Sequence, residues 1–269
     1  MTVTELSKAG TADYAAEEAR LRRELAAVYR LIAHFKMTDL IYNHISVRLP
    51  GPEHRFLINP FGLLYEEINA SNLVIIGLDG ELITDGPWKV NPAGFVIHSA
   101  IHEAREDAHC VLHTHTKAGC AVAAQQHGLL PLNQMSLEFY NQVGYHDYEG
   151  IAVSPDEKKR LVADLGDSPA LILRNHGLLT VGRTPGQAFL RMFYLERSCQ
   201  IQIDALAGGT AVVLPPEEVR EHTARQFQGG DGFRGSDGSG DYTTDVAGSN
   251  LAWDAMLRLV ERVAPDYKD

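Results

Sequence analysis

Cys110-Val-Leu-His113-Thr-His115-Thr-Lys-Ala-Gly-Cys120-Ala-Val-Ala-Ala-Gln-Gln126 changes its hydrophobic pattern midway, and the fold is decided by how that change is read. The first part opens on a short apolar run, as a buried strand does, while the second is rich in alanine, the best helix former. A strand over 110–116 feeding a helix over 118–126 is the expectation.

The same punctuation continues on both sides. Downstream, the pattern predicts a helix over 155–165, strands over 170–174 and 178–181, and a long helix over 185–206 with a proline at its start. Upstream, Pro92 opens a helix over 93–106 that carries Phe95, Ile97, Ala100 and Ile101. Short β-type runs at 45–49, 55–58 and 73–78 are broken by Pro50-Gly51, Asn59-Pro60, Gly62 and Asp79-Gly80, which predicts a group of antiparallel strands. Before them, Leu21, Leu25, Val28, Ile32 and Phe35 recur at helical spacing. Strands interrupted by flanking helices predict an α/β chain, a three-layer α/β/α sandwich with a central mixed, largely antiparallel sheet.

One domain is expected over 14–227, after a flexible N-terminus at 1–13 and before a glycine-rich flexible loop at 228–250 and a C-terminal helix and tail at 251–269. The apolar residues of that last helix, Trp253, Met256, Leu257 and Val260, are expected to dock on a neighbouring subunit.

A formal charge of -11 over 269 residues repels phosphate backbones and anionic lipid surfaces, so neither nucleic acid nor membrane is an expected partner. Three cysteines without a Cys-x-x-Cys spacing suit a reducing compartment. The N-terminus has no apolar signal-like run, and a cytoplasmic address is expected.

Residues two apart on a strand point to one face, so His113 and His115 can meet one ion; equally, they could be two polar residues at a strand end. Arg174-Asn175-His176-Gly177 supplies a third imidazole where an apolar strand ends in a turn. Three ligands leave a coordination position open, as catalytic zinc requires and structural zinc does not. Manganese or iron would suit the same donors.

The order and spacing of several blocks carry a family resemblance: Asn43-His44-Ile45-Ser46-Val47-Arg48, Phe56 to Tyr65, Ala93-Gly94-Phe95, His98-Ser99-Ala100-Ile101-His102, the His113/His115 pair, Tyr145-His146-Asp147-Tyr148 and Leu173 to Gly177. Over nearly all of 20–206 the chain resembles the class II aldolase/adducin family, and within it the adducin head domain and its bacterial relatives. The resemblance implies zinc on the three histidines and a homotetramer with active sites at subunit interfaces. It also departs from the sugar-phosphate aldolases. Their glutamate, base and additional ligand, is matched by Gly94, and their phosphate-cradling positions by Asn43-His44, Pro60-Phe61 and Pro92-Ala93.

What remains is a metal-dependent carbon–carbon lyase, aldolase or decarboxylase, for a small non-phosphorylated carbonyl or carboxylate compound. Decarboxylation needs no base to start it, so losing the glutamate weighs more against an ordinary aldolase. Glu138, Tyr140, Tyr145 and His146 are candidate acids or bases, each with packing as its plainer explanation, and Asn43, His44 and Arg174 are candidate substrate contacts. His98 and His102 share a helix face, as a second ligand pair or as a surface or interface contact. The alternative is a non-catalytic, adducin-like scaffold. Actin and spectrin binding is not expected of it, since the acidic, glycine-rich end of the sequence has no lysine cluster.

Overall fold

The structure, a computed structural model, describes residues 3–151, 155–228 and 251–269. Apart from Gln228, the expected loop at 228–250 lies outside the described residues.

Helix α1 (Val3–His34) begins well before residue 14, so the stretch expected as a flexible N-terminus is helical from Val3 onward. That stretch carries no apolar period, which is why composition alone left it uncommitted. Farther along, the helix carries Glu17–Arg20 and Glu18–Arg22 pairs and buries Leu25, Val28, Tyr29 and Ile32. Its end is a left-handed cap. Lys36 takes φ 57, and the amides of Lys36 and Met37 close onto the carbonyls of Ala33 and Ile32 at 2.9 Å each.

Seven strands form one sheet: β1 (His44–Arg48), β2 (Phe56–Ile58), β3 (Val74–Ile76), β4 (Cys110–Thr114), β5 (Val143–His146), β6 (Ala170–Leu173) and β7 (Gly177–Gly182). Their order is β3-β2-β1-β4-β7-β6-β5, and every neighbouring pair is antiparallel except β5 with β6. Among the described residues the other α-helices are α2 (Pro92–Ala104), α3 (Lys117–Ala123), α4 (Gln134–Leu137), α5 (Pro155–Leu165), α6 (Pro185–Ala207), α7 (Glu217–Phe227) and α8 (Leu251–Val263).

Strand alternation sorts the core into two layers. Cys110 and Leu112 of β4 face the cluster built by α1, α3, α6 and α8. Val111 between them packs with Ile97 and Ile101 of α2 and with Leu161 and Leu165 of α5. The three-layer α/β/α sandwich with a mixed, largely antiparallel sheet is therefore the fold observed. His113 falls on the α2/α5 side of β4, and this decides what surrounds it.

Three elements have no counterpart in the sequence expectations. The edge strand β5 is a four-residue run, Val-Gly-Tyr-His, too short to show a period; its Gly144 lies where a Cβ would come 2.2 Å from the Asp164 carbonyl. Helix α4 is a single turn capped by the Asn133 side chain, and α7 buries only Ala224. The expectation for α8 is corrected as well. Trp253 packs on Phe189 of the same chain, with ring centroids 6.0 Å apart, over Gly186, and Val260 is fully buried in the same core as Met256 and Leu257. Val260 is thus covered within one chain, while Trp253, Met256 and Leu257 pack on the same core and stay partly exposed. No helix among the described residues is long and apolar enough to cross a membrane.

Candidate metal centre

The end of β4 and the β6–β7 turn bring three imidazoles together. His113 is the fourth residue of β4, and His115 lies one residue past its end. His176 sits in the turn Arg174-Asn175-His176, which Asn175 bends with φ 55 and which closes through the His176 amide onto Leu173 O at 3.0 Å. Gly177 then starts β7 against Thr114. A Cβ there would stand 2.3 Å from the Thr114 carbonyl oxygen and 3.3 Å from His113 Cε1, so only glycine lets the turn approach the two histidines.

The outer nitrogens are fixed. His113 Nδ1 is 2.9 Å from Leu178 O, a group that can only accept, so the proton is on Nδ1. His115 Nδ1–H donates to Asp39 Oδ2 at 2.9 Å. Both rings therefore turn an unprotonated Nε2 inward, 2.8 Å apart, and His176 Nε2 lies 3.0 Å from that of His115. Protonation is a poor way to relieve this crowding. Burial holds His113 well below the ordinary histidine value, and burial, then the charge His115 would carry, lowers His176 to about 4. A divalent cation satisfies the lone pairs of His113 and His115 at once and can take His176 Nε2 as a third ligand, and the carboxylate and carbonyl behind the first two rings are the supports that metal-binding histidines use. The donor set fits zinc.

The other candidate residues are placed as follows. His44 pairs with His113 across β1 and β4, with ring centroids 5.1 Å apart. It fills the space over Gly94, where a Cβ would meet His44 Cδ2 at 2.6 Å. Asn43 is buried and accepts the Asp39 amide at 2.8 Å, so it positions the loop that carries Asp39. His98 and His102 are not at a surface or interface: both are 1% exposed and point from α2 onto β1. A cleft beside His176 is lined by Ile97, His146, Tyr148, Glu157 and Arg174. There His146 donates Nδ1–H to Asp164 at 2.7 Å, and its buried Nε2 has no hydrogen-bond partner. Arg174 lies 4.3 Å over the Tyr145 ring and donates to Gln125 O at 2.7 Å. Tyr145 accepts the Leu129 amide, Tyr140 lies under Arg220, and Glu138 ends α4; none of these three lines the cleft.

Sequence reasoning missed Asp39 and Ser46. Asp39 lies in a loop remote from β4, and no spacing betrays it. Ser46 was legible, being two residues from His44 on one strand.

Purified protein is expected to carry about one zinc-like ion per chain, and His113→Ala or His176→Ala to remove it, as read by plasma mass spectrometry. Full occupancy in both variants would contradict the centre.

Comparison with known proteins agrees with this architecture. Residues 23–203 match the family described as Class II Aldolase and Adducin N-terminal domain. A Caulobacter vibrioides protein named for aldolase class 2 is 48% identical over 94% of this chain and 93% of its own. Rat alpha-adducin is 44% identical over 81% of this chain, which spans only 30% of that protein. Among solved structures, an aldolase II superfamily protein from Pseudomonas syringae superposes with a TM-score of 0.84 at 47% identity, covering 94% of this chain and 96% of that one. The L-fuculose 1-phosphate aldolase of Glaciozyma antarctica gives 0.79 at 28% identity, covering 95% and 94%. The chain belongs to the class II aldolase and adducin N-terminal domain family.

Proposed function

We propose that this chain is a metal-dependent carbon–carbon lyase, an aldolase or decarboxylase, acting on a small, non-phosphorylated carbonyl or carboxylate compound. The observation that carries the reading is the convergence of the His113, His115 and His176 ring nitrogens within 4.8 Å of one another beside a cleft with its own proton-handling pair. A zinc ion, or manganese or iron, held there would polarise a carbonyl and stabilise the enolate left when the adjacent carbon–carbon bond breaks.

The chain's own groups supply the rest. His146, its Nδ1–H given to Asp164, turns its other nitrogen, Nε2, toward Glu157 Oε1 at 3.6 Å without a hydrogen bond, and this pair beside the cleft can take a proton from a ligand hydroxyl or return one to a carbanion. Arg174 lines the same cleft, where its remaining N–H donors suit a carboxylate. At Gly94 there is no carboxylate to compete for the ion, so three neutral imidazoles leave it the full charge that attracts an anion. Tyr140, Tyr145 and Glu138 fit supporting roles for the loop around this cleft better than proton transfer.

A scaffold role without turnover is the second reading, favoured by the similarity to alpha-adducin. A homotetramer in the cytoplasm completes the proposal. Exposed Leu40, Tyr42, Tyr148 and Ile151 offer apolar contacts for assembly, and all three cysteines are free.

Calorimetry on metal-loaded protein should show 2-keto and 2-hydroxy acids binding about ten-fold or more tighter than L-fuculose 1-phosphate or ribulose 5-phosphate. Binding of the sugar phosphates alone would contradict the substrate class, and binding without turnover of any carbonyl compound would favour the scaffold. In sedimentation velocity at micromolar concentration a tetramer is expected, and a monodisperse monomer would overturn it.

A further inference from the structure

Between α2 and the β1–β4 pair lies a line of polar groups that the lyase reading does not use. His102 Nδ1 lies 2.8 Å from Ala108 O, and its Nε2 lies 2.7 Å from Ser46 Oγ. Ser46 Oγ in turn lies 2.5 Å from His98 Nδ1, and His98 Nε2 lies 2.8 Å from His44 Nδ1. All four side chains are at most 3% exposed.

The direction of every bond in this line follows from its far end. The Ala108 carbonyl has no proton to give, so His102 donates from Nδ1. Burial holds His102 at about 3, far below the ordinary value, so the ring is neutral and its Nε2 can only accept. The single Ser46 hydroxyl proton is therefore spent on His102, and Ser46 must accept from His98 Nδ1–H. His98, also pushed down by burial, is then left with a bare Nε2, which accepts from His44 Nδ1–H. Among the described residues no carboxylate is hydrogen-bonded to His44, His98 or His102 that could stabilise a second proton. The remaining nitrogen, His44 Nε2, would lie 2.9 Å from a Cβ placed on Gly94.

We propose that Ala108 O, His102, Ser46 and His98 act as positioning groups that lock His44 in the Nδ1–H tautomer, so that its Nε2 presents a lone pair beside the three-histidine centre and accepts a hydrogen bond from a ligand hydroxyl. The ligand class this selects is one whose metal-binding carboxylate or carbonyl carries a hydroxyl on the neighbouring carbon. The ligand half of the inference rests on the lyase reading above; the tautomer half does not. A side chain at position 94 would have to displace the His44 ring, so glycine there is part of the same device.

Nitrogen-15 NMR of the histidine rings in the metal-free protein reads the tautomers directly. In the native protein His44, His98 and His102 are expected each to be protonated on Nδ1, with a bare Nε2. Ser46→Ala should leave the fold intact by its amide spectrum and turn His98 and His44 into tautomer mixtures, while Ser46→Thr, which keeps the hydroxyl, should restore the native pattern. His44 protonated on Nε2 in the native protein, or a pattern unmoved by Ser46→Ala, would overturn the lock even if the lyase reading stands. In the metal-loaded protein a 2-hydroxy acid should bind about 10-fold tighter than the same acid without its hydroxyl, and Ser46→Ala should remove most of that preference. Equal binding of the two acids by the native protein would overturn the ligand half.

Discussion

Three imidazole nitrogens, with that of His115 only 2.8 Å from His113 and 3.0 Å from His176, are the constraint on which the rest of the molecule depends. Left to themselves, inward-facing lone pairs repel and buried rings resist protons, so the arrangement has to be imposed from outside. The β4–β7 ladder imposes it. Pairing Thr114 with Leu178 brings the Leu178 carbonyl to His113 Nδ1, and Gly177 removes the side chain that would hold the β6–β7 turn away. The loop after α1 adds Asp39 behind His115, itself held by the buried Asn43.

The neighbouring polar layer follows the same logic at greater depth. An antiparallel register that sets His44 opposite His113 also sets Ser46 opposite Val111, on the face that α2 covers. Burying three imidazoles and a hydroxyl there would cost several kcal/mol if any were left unpaired. The costs are offset because each donor finds an acceptor, ending on a backbone carbonyl. In each histidine group one ring thus has its tautomer set by a main-chain oxygen, His113 by Leu178 and His102 by Ala108, while His115 relies on the Asp39 carboxylate. In this way secondary structure dictates which nitrogen is free for chemistry.

Much of this was legible in the residues. The change of period between Leu112 and Ala118 located β4 and α3, and the prolines at 92, 155 and 185 marked the starts of α2, α5 and α6. His113, His115 and His176 could be grouped because two share a strand and the third follows a strand end. What stayed hidden has a physical reason in each case. Val143 to His146 is an edge strand of mixed polarity, with no period to detect. His98 and His102 look like a surface pair because their spacing says only that they share a face, not that the face is turned inward. The apolar side of α8 likewise says that it must find a partner, and only the fold shows that Trp253 packs on Phe189 and Gly186 within one chain. Tyr145 and Arg174 satisfy each other by stacking, a contact that no sequence spacing predicts.

Anomalous scattering on either side of a metal absorption edge, measured from crystals of the protein as purified, tests the centre most directly. One peak about 2 Å from the Nε2 atoms of His113, His115 and His176 together is the expected result. Absence of a peak there at the zinc, manganese and iron edges, or a peak on other residues, would contradict the account.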